Sequence, residues 1–129
     1  MPDKKRILIV DDDPDLRAAT QLILSSHGYI VMTASNSKDA FSLIERTPPD
    51  LIIMDVMMGS MDEGFQATYR LKADSLLRKI PILMITAVSK ETGFSFDPKK
   101  DEGFMPVEGY LEKPVDPEVL LSRVRELIS

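Results

Sequence analysis

The sequence contains no cysteine and no long apolar run. Without cysteine, a disulfide framework and a thiolate metal site are both excluded. Its apolar runs all fall well short of the roughly 20 residues that a transmembrane helix needs. The N-terminal MPDKKR lacks the apolar region of a signal peptide. We therefore expect a cytoplasmic protein that has no membrane partner.

An excess of positive charge is also absent. The chain carries 16 basic and 21 acidic residues, a formal net charge of −5, which argues against the basic surface of a nucleic-acid-binding protein. Its hydrophobic content of 43% and charged content of 29% are typical of a globular protein. Because no repeat, low-complexity tract or linker divides the 129 residues, we predict a single domain over residues 1–129.

Short apolar runs alternate with amphipathic segments along the chain. The runs at 7–10, 51–54 and 82–85 contain only apolar residues, a pattern typical of strands that are buried on both faces. Residues 30–34 predict a further strand near one edge of the sheet, and residues 109–111 predict a short last strand. Buried strands of this kind indicate a parallel sheet with helices on both sides.

Amphipathic segments between these strands predict four helices, over residues 13–28, 37–46, 65–77 and 116–128. Asp13-Pro14 and Asp116-Pro117 each place a capping residue before proline, a typical helix start. The apolar stripe of the first helix comprises Leu16, Ala19, Thr20, Ile23 and Leu24. The last helix is predicted to bury Val119, Leu120, Val124, Leu127 and Ile128. The alternation predicts right-handed crossovers and a doubly wound α/β fold.

In such a sheet the ligand lies beyond the carboxyl ends of the strands. Asp11 and Asp12 follow the first predicted strand, Asp55 the third, Thr86 the fourth and Lys113 the fifth. The three carboxylates sum to about −3, and a divalent cation together with the lysine would supply about +3. A site with oxygen ligands alone favours Mg²⁺, with Mn²⁺ also possible.

Motifs in the sequence resemble those of a known family. VDDD, IIMDVMM, MITA and GYLEKPV follow or surround the first, third, fourth and fifth strands. In order and spacing they are similar to CheY-like receiver domains of bacterial response regulators, which act in two-component signalling. The resemblance covers almost the whole chain. It implies a flavodoxin-like sheet with the strand order 2-1-3-4-5.

The resemblance implies roles for four residues around the metal. Asp55 matches the aspartate that accepts a phosphoryl group from a sensor histidine kinase or a phosphotransfer protein. Asp12 matches a direct Mg²⁺ ligand, and Asp11 matches one that usually acts through water. Met57 would add its main-chain carbonyl as a ligand.

The resemblance also implies how the phosphoryl group is held and sensed. Lys113 matches the lysine that pairs with the acceptor and then with the phosphoryl group. Thr86 matches the hydroxyl that moves to bind a phosphoryl oxygen, and Tyr110 the aromatic residue that follows it. Both would switch a surface that binds an unidentified downstream protein.

We therefore expect a stand-alone, phospho-accepting receiver that modifies itself but is not a turnover enzyme. The alternative is a pseudo-receiver, an interaction module that keeps the fold and works without phosphate. A receiver that is part of a longer DNA-binding regulator is a further possibility, which the length of the full gene product decides.

One segment departs from the family pattern. Receivers have a fourth helix between the positions of Thr86 and Tyr110, but here that segment contains Gly93, Pro98, Gly103, Pro106 and Gly109. Because these residues break helices, we predict that this helix, the fourth one in receivers, is short or replaced by a loop in this chain.

Overall fold

The computed structural model describes residues 4–55, 61–87, 108–113 and 115–128. Five parallel strands form one sheet in the order β2-β1-β3-β4-β5. The strands are β1 Arg6–Val10, β2 Ile30–Ala34, β3 Leu51–Asp55, β4 Ile82–Ala87 and β5 Gly109–Lys113. This confirms the predicted fold class, the strand order 2-1-3-4-5 and the position of residues 30–34 at a sheet edge.

The described α-helices are α1 Pro14–Ser25, α2 Ser37–Arg46, α3 Met61–Ala73 and α4 Pro117–Ile128, and a short 3-10 helix spans Leu77–Lys79. Within these described residues, no helix is long and apolar enough to cross a membrane. The predicted shortening or loss of a helix between β4 and β5 concerns residues 88–107, which lie outside the described residues.

Two apolar layers lie on opposite faces of the sheet because successive strand residues point to opposite faces. One layer joins Ile7, Ile9 and Ile53 to buried residues of α1 and α4. The other joins Leu8 and Ile52 to residues of α2 and α3. The helices therefore cover both faces, and the polar residues that follow the strands collect at the carboxyl edge.

The predicted N-cap of α1 is confirmed, whereas the helix predicted over residues 13–28 ends earlier, at Ser25, with Ser26 as its C-cap. The Asp13 side chain accepts hydrogen bonds from the N–H groups of Asp15 at 3.0 Å and Leu16 at 3.3 Å, which caps the first turn. Gly28 follows the helix with a φ of 92°. This is the left-handed region that glycine adopts without the steric cost of a side chain.

The predicted bounds of the third helix were wrong. The prediction was residues 65–77, whereas α3 spans Met61–Ala73. It ends early because the Asp74 side chain accepts hydrogen bonds from the N–H groups of Leu76 and Leu77, at 2.8 and 3.1 Å, and so starts a separate 3-10 turn. The helix begins earlier than predicted because acidic residues are favoured in a first turn, where Asp62 and Glu63 lie. One glycine within a helix, here Gly64, is tolerated.

Two predictions about helix packing also need correction. Val119 is 43% exposed and Leu127 is only partly buried, whereas Leu121 is buried, because the inward stripe of α4 consists of Leu120, Leu121, Val124 and Ile128. In α1, Leu24 is fully buried but Leu16 is 41% exposed. Ala19, another member of the predicted stripe, is exposed as well.

Candidate functional site

Hydrogen bonds to several elements hold Asp11 in place. Its N–H donates to the carbonyl of Ala34 at 3.0 Å, which extends the β1–β2 pairing past the end of β1. Its Oδ1 accepts from the N–H of Asp13 at 2.9 Å. The Nη1 of Arg17 donates to the Asp11 carbonyl at 2.8 Å. Asp11 is only 5% exposed, so its carboxylate is fixed at the buried edge of the sheet.

Asp55 is the last residue of the central strand β3. It is 2% exposed, and its register partner in β4 is Ile85. On the other side, Val10 pairs with Met54, so Asp11 and Asp55 follow neighbouring strand positions at the same edge. Parallel pairing thus brings together two carboxylates that lie far apart in the sequence.

Three carboxylates meet at this edge. One oxygen from each of Asp11, Asp12 and Asp55 lies within 4.8 Å of the others, and Asp12 is the exposed member. Burying like charges this close is unfavourable unless a positive charge compensates them. Carboxylate oxygens with one solvent-facing member fit a hard divalent cation such as Mg²⁺, which keeps part of its water shell.

The main chain also brings the other predicted site positions to this edge. Thr86 follows Ile85, the partner of Asp55, and Lys113 pairs with Ala87 at the end of β5. Tyr110 pairs with Met84, farther from the edge. The side chains at positions 86, 110 and 113 are not among the described features, and Met57 lies outside the described residues.

Sequence reasoning missed a polar cluster at the opposite end of β4 and β5. The Nζ of Lys72 lies 2.6 Å from Oε1 of Glu108, and Oε2 of Glu108 accepts from the N–H of Ile82 at 2.7 Å. Lys72 and Glu108 are 36 positions apart. No periodic pattern or motif links them, so nothing in the sequence pointed to this pair.

Residues 7–125 match the family model of the response regulator receiver domain. The chain belongs to this family. Receivers are signalling domains rather than turnover enzymes. The family match fits the arrangement just described, with acidic residues at the carboxyl edge of a five-stranded parallel sheet.

Curated relatives include both short and long proteins. Protein PilH of Pseudomonas aeruginosa is 36% identical over 124 residues, which cover 96% of this chain and 98% of PilH. The DNA-binding dual master transcriptional regulator RpaA of Synechocystis is 38% identical over 127 residues, which cover 95% of this chain but 48% of RpaA. The chain thus spans nearly all of one relative and about half of the other.

Solved structures with the same architecture include other receivers. The chemotaxis response regulator CheY4 of Vibrio cholerae has a TM-score of 0.81 and 28% identity, with coverage of 97% of this chain and 99% of CheY4. A CheY-like receiver domain protein of Methanospirillum hungatei has a TM-score of 0.79 and 28% identity, with coverage of 96% and 93%.

Proposed function

We propose that this chain is a single receiver domain over residues 1–129 that accepts a phosphoryl group on Asp55 and thereby switches a protein-binding surface. The observation that carries the proposal is the carboxylate cluster, in which Asp55 is 2% exposed and lies within 4.8 Å of Asp11 and Asp12. A buried carboxylate next to two others lowers the stability of the fold, so stability does not explain the cluster. Such arrangements are frequent at functional sites.

The donor set of the cluster supports Mg²⁺, or Mn²⁺, as the cofactor. Asp11, Asp12 and Asp55 would hold the ion, together with the main-chain carbonyl of Met57. The bound ion would neutralise the carboxylates and the oxygens of a phosphoryl group. Arg17, through its bond to the Asp11 carbonyl at 2.8 Å, keeps the β1–α1 turn in place.

The chemical step requires little from the protein besides position and charge. A carboxylate oxygen of Asp55 bonds to phosphorus as the P–N bond of a phosphohistidine breaks. The bonding pair stays on the imidazole nitrogen, which takes up a proton. The product is an acyl phosphate, and Lys113 would balance the charge that develops on the phosphoryl oxygens.

The acyl phosphate carries about one more negative charge than the carboxylate that it replaces. Thr86 would bind a phosphoryl oxygen, and Tyr110 would follow its movement, so that a local charge change alters the surface near β4 and β5. The donor would be a sensor histidine kinase or a phosphotransfer protein in the cytoplasm, and the receiver of the signal a downstream protein. We expect no direct contact with nucleic acid or membrane.

The test is intact-mass spectrometry after incubation with acetyl phosphate, with and without Mg²⁺. Wild type should gain one phosphoryl group only when Mg²⁺ is present, and Asp55→Asn should gain none. Asp15→Asn is the matched control, because Asp15 is an exposed acid in the first turn of α1 and should leave the gain intact.

Two results would contradict the proposal. Phosphorylation of Asp55→Asn to the wild-type extent would place the acceptor elsewhere. Failure of wild type to gain mass with acetyl phosphate or with phosphoramidate would favour the pseudo-receiver alternative, in which the surface binds its partner without phosphate.

A further inference from the structure

Glu108 joins the start of β5 to the start of β4. Its N–H donates to the carbonyl of Ile82 at 3.1 Å, and its Oε2 accepts from the N–H of Ile82 at 2.7 Å. One residue therefore bonds to both main-chain polar groups of Ile82. This pair of bonds holds the start of β5 at one position along β4.

Lys72 fixes the carboxylate of Glu108 in turn. Its Nζ lies 2.6 Å from Oε1 of Glu108 and also donates to the carbonyls of Arg78 at 3.1 Å and Ile80 at 3.2 Å. The Lys72 side chain is only 12% exposed. The Glu108 side chain is 38% exposed, but its hydrogen bond to Lys72 is charge-assisted and so stronger than a neutral one. The end of α3 and the turn before β4 therefore both orient Glu108.

Gly109 leaves room for the side chains of Leu83 and Leu127 at the same place. A Cβ at this position would lie 3.0 Å from Cδ1 of Leu83 and 3.7 Å from Cδ1 of Leu127. A larger residue would therefore require the Leu83 side chain to shift. β5 begins at Gly109, directly after Glu108.

The register of β5 along β4 determines which residue of β5 lies at the carboxyl edge. The pairing runs without interruption from Leu83 with Gly109 to Ala87 with Lys113. Leu111 is buried in the same apolar layer as Ile53, so strand alternation places positions 113 and 55 on the same face of the sheet. A slip of one residue would move position 113 to the other face.

We propose that Glu108, held by Lys72, is a positioning residue for phosphorylation of Asp55, because it sets the register that brings Lys113 to the site. The inference rests on the proposed role of Lys113. Glu108 itself lies five strand positions before Lys113, roughly 16 Å away, so it touches neither Asp55 nor the phosphoryl group. Its effect on the phosphorylation rate would therefore be indirect, through the position that the register gives to Lys113.

The test is a double-mutant cycle on the full chain, with the rate of phosphorylation by acetyl phosphate at saturating Mg²⁺ as the readout. Glu108→Ala should slow the reaction by about tenfold or more, since small displacements of a catalytic group have effects of this size. In a Lys113→Ala background the same substitution should add no further loss. Glu108→Gln keeps an oxygen that accepts from Ile82 but loses the ion pair with Lys72, so it should restore only part of the rate.

Two controls separate positioning from general damage. The Mg²⁺ dissociation constant, measured by calorimetry, should be the same in Glu108→Ala and wild type, because the proposed ligands lie on other strands. Glu126→Ala removes a glutamate that pairs with Arg123 in α4 and is 57% exposed, and it should leave the rate unchanged. If Glu108→Ala does not fold, Lys72→Met replaces it in the cycle with the same expectation.

The outcomes are distinguishable. Equal rate losses in the wild-type and Lys113→Ala backgrounds, or a parallel loss of Mg²⁺ affinity, would overturn the positioning role. Phosphorylation of wild type with an unaffected rate in Glu108→Ala would overturn this inference and leave the proposed function standing. Wild type that accepts no phosphoryl group would overturn both.

Discussion

Substituting Asp55 by asparagine should stabilise the fold when no divalent cation is present. The change keeps the shape of a side chain that is 2% exposed and removes one of three clustered negative charges. In the absence of the ion, each remaining carboxylate then experiences less repulsion. The substitution that abolishes the proposed function should therefore raise the free energy of unfolding.

The magnitude follows from the distance between the carboxylates. At the 4.8 Å limit within which their oxygens lie, two unit charges repel by about 3.5 kcal/mol at an effective dielectric constant of about 20, and by about 0.9 kcal/mol in bulk water. The buried pair, Asp11 and Asp55, lies nearer the first figure. The proposed attraction to Lys113 would offset part of this repulsion, so we expect a stabilisation of about 1–2 kcal/mol.

Urea unfolding followed by far-ultraviolet circular dichroism measures the effect, first in EDTA and then in Mg²⁺. Mg²⁺ at 100 times its dissociation constant should stabilise wild type by about 2.7 kcal/mol. At the same Mg²⁺ concentration, the free energy of unfolding of Asp55→Asn should increase by less, because one charged ligand is missing. Glu126→Gln neutralises an exposed glutamate of α4 and so controls for the general loss of one negative charge. Its stability in EDTA and its response to Mg²⁺ should both equal those of wild type.

A lower free energy of unfolding for Asp55→Asn in EDTA would contradict this prediction. That result would mean that the Asp55 carboxylate is held by attractive contacts that outweigh its repulsion from Asp11 and Asp12. An equal response of wild type and variant to Mg²⁺ would separately remove Asp55 from the proposed ligands.

Two further substitutions test the ends of α1 in the same urea assay. Asp13→Ala should lower the free energy of unfolding by about 1 kcal/mol, because the N–H groups of Asp15 and Leu16 lose their acceptor; its response to Mg²⁺ should stay at the wild-type level, and a lost response would make Asp13 part of the metal site. Gly28→Ala should cost about 1–2 kcal/mol through its φ of 92° alone, since a Cβ there meets no atom within 4 Å. A stability equal to wild type would show that residue 28 changes its backbone conformation at no cost.

Local patterns were sufficient to predict most of the fold. The strands at 7–10, 51–54 and 82–85 were recognised because each is an unbroken apolar run, and all three lie within described strands. The cap at Asp13 and the glycine at position 28 mark α1 through short-range main-chain geometry. The bounds of α3 were missed because Asp74 diverts the chain into a 3-10 turn, a choice that residue propensity does not reveal.

The acidic residues of the candidate site could also be predicted from the sequence. Asp11, Asp12 and Asp55 each follow a predicted strand, and parallel strands end at a common edge. The roles of Thr86, Tyr110, Lys113 and Met57 came from the family resemblance, and they stay predictions. The Lys72–Glu108 pair could not be predicted in either way, because its members belong to no motif.

The sequence by itself determined the class of fold, the strand cores and the acidic residues at the edge, because these depend on alternation, capping and chain order. Only the tertiary structure decided which helix positions face inward, such as Leu121 rather than Val119. It also decided how β5 is set against β4 through Glu108 and Ile82. Contacts between distant segments depend on the packing of the whole domain, which no local pattern contains.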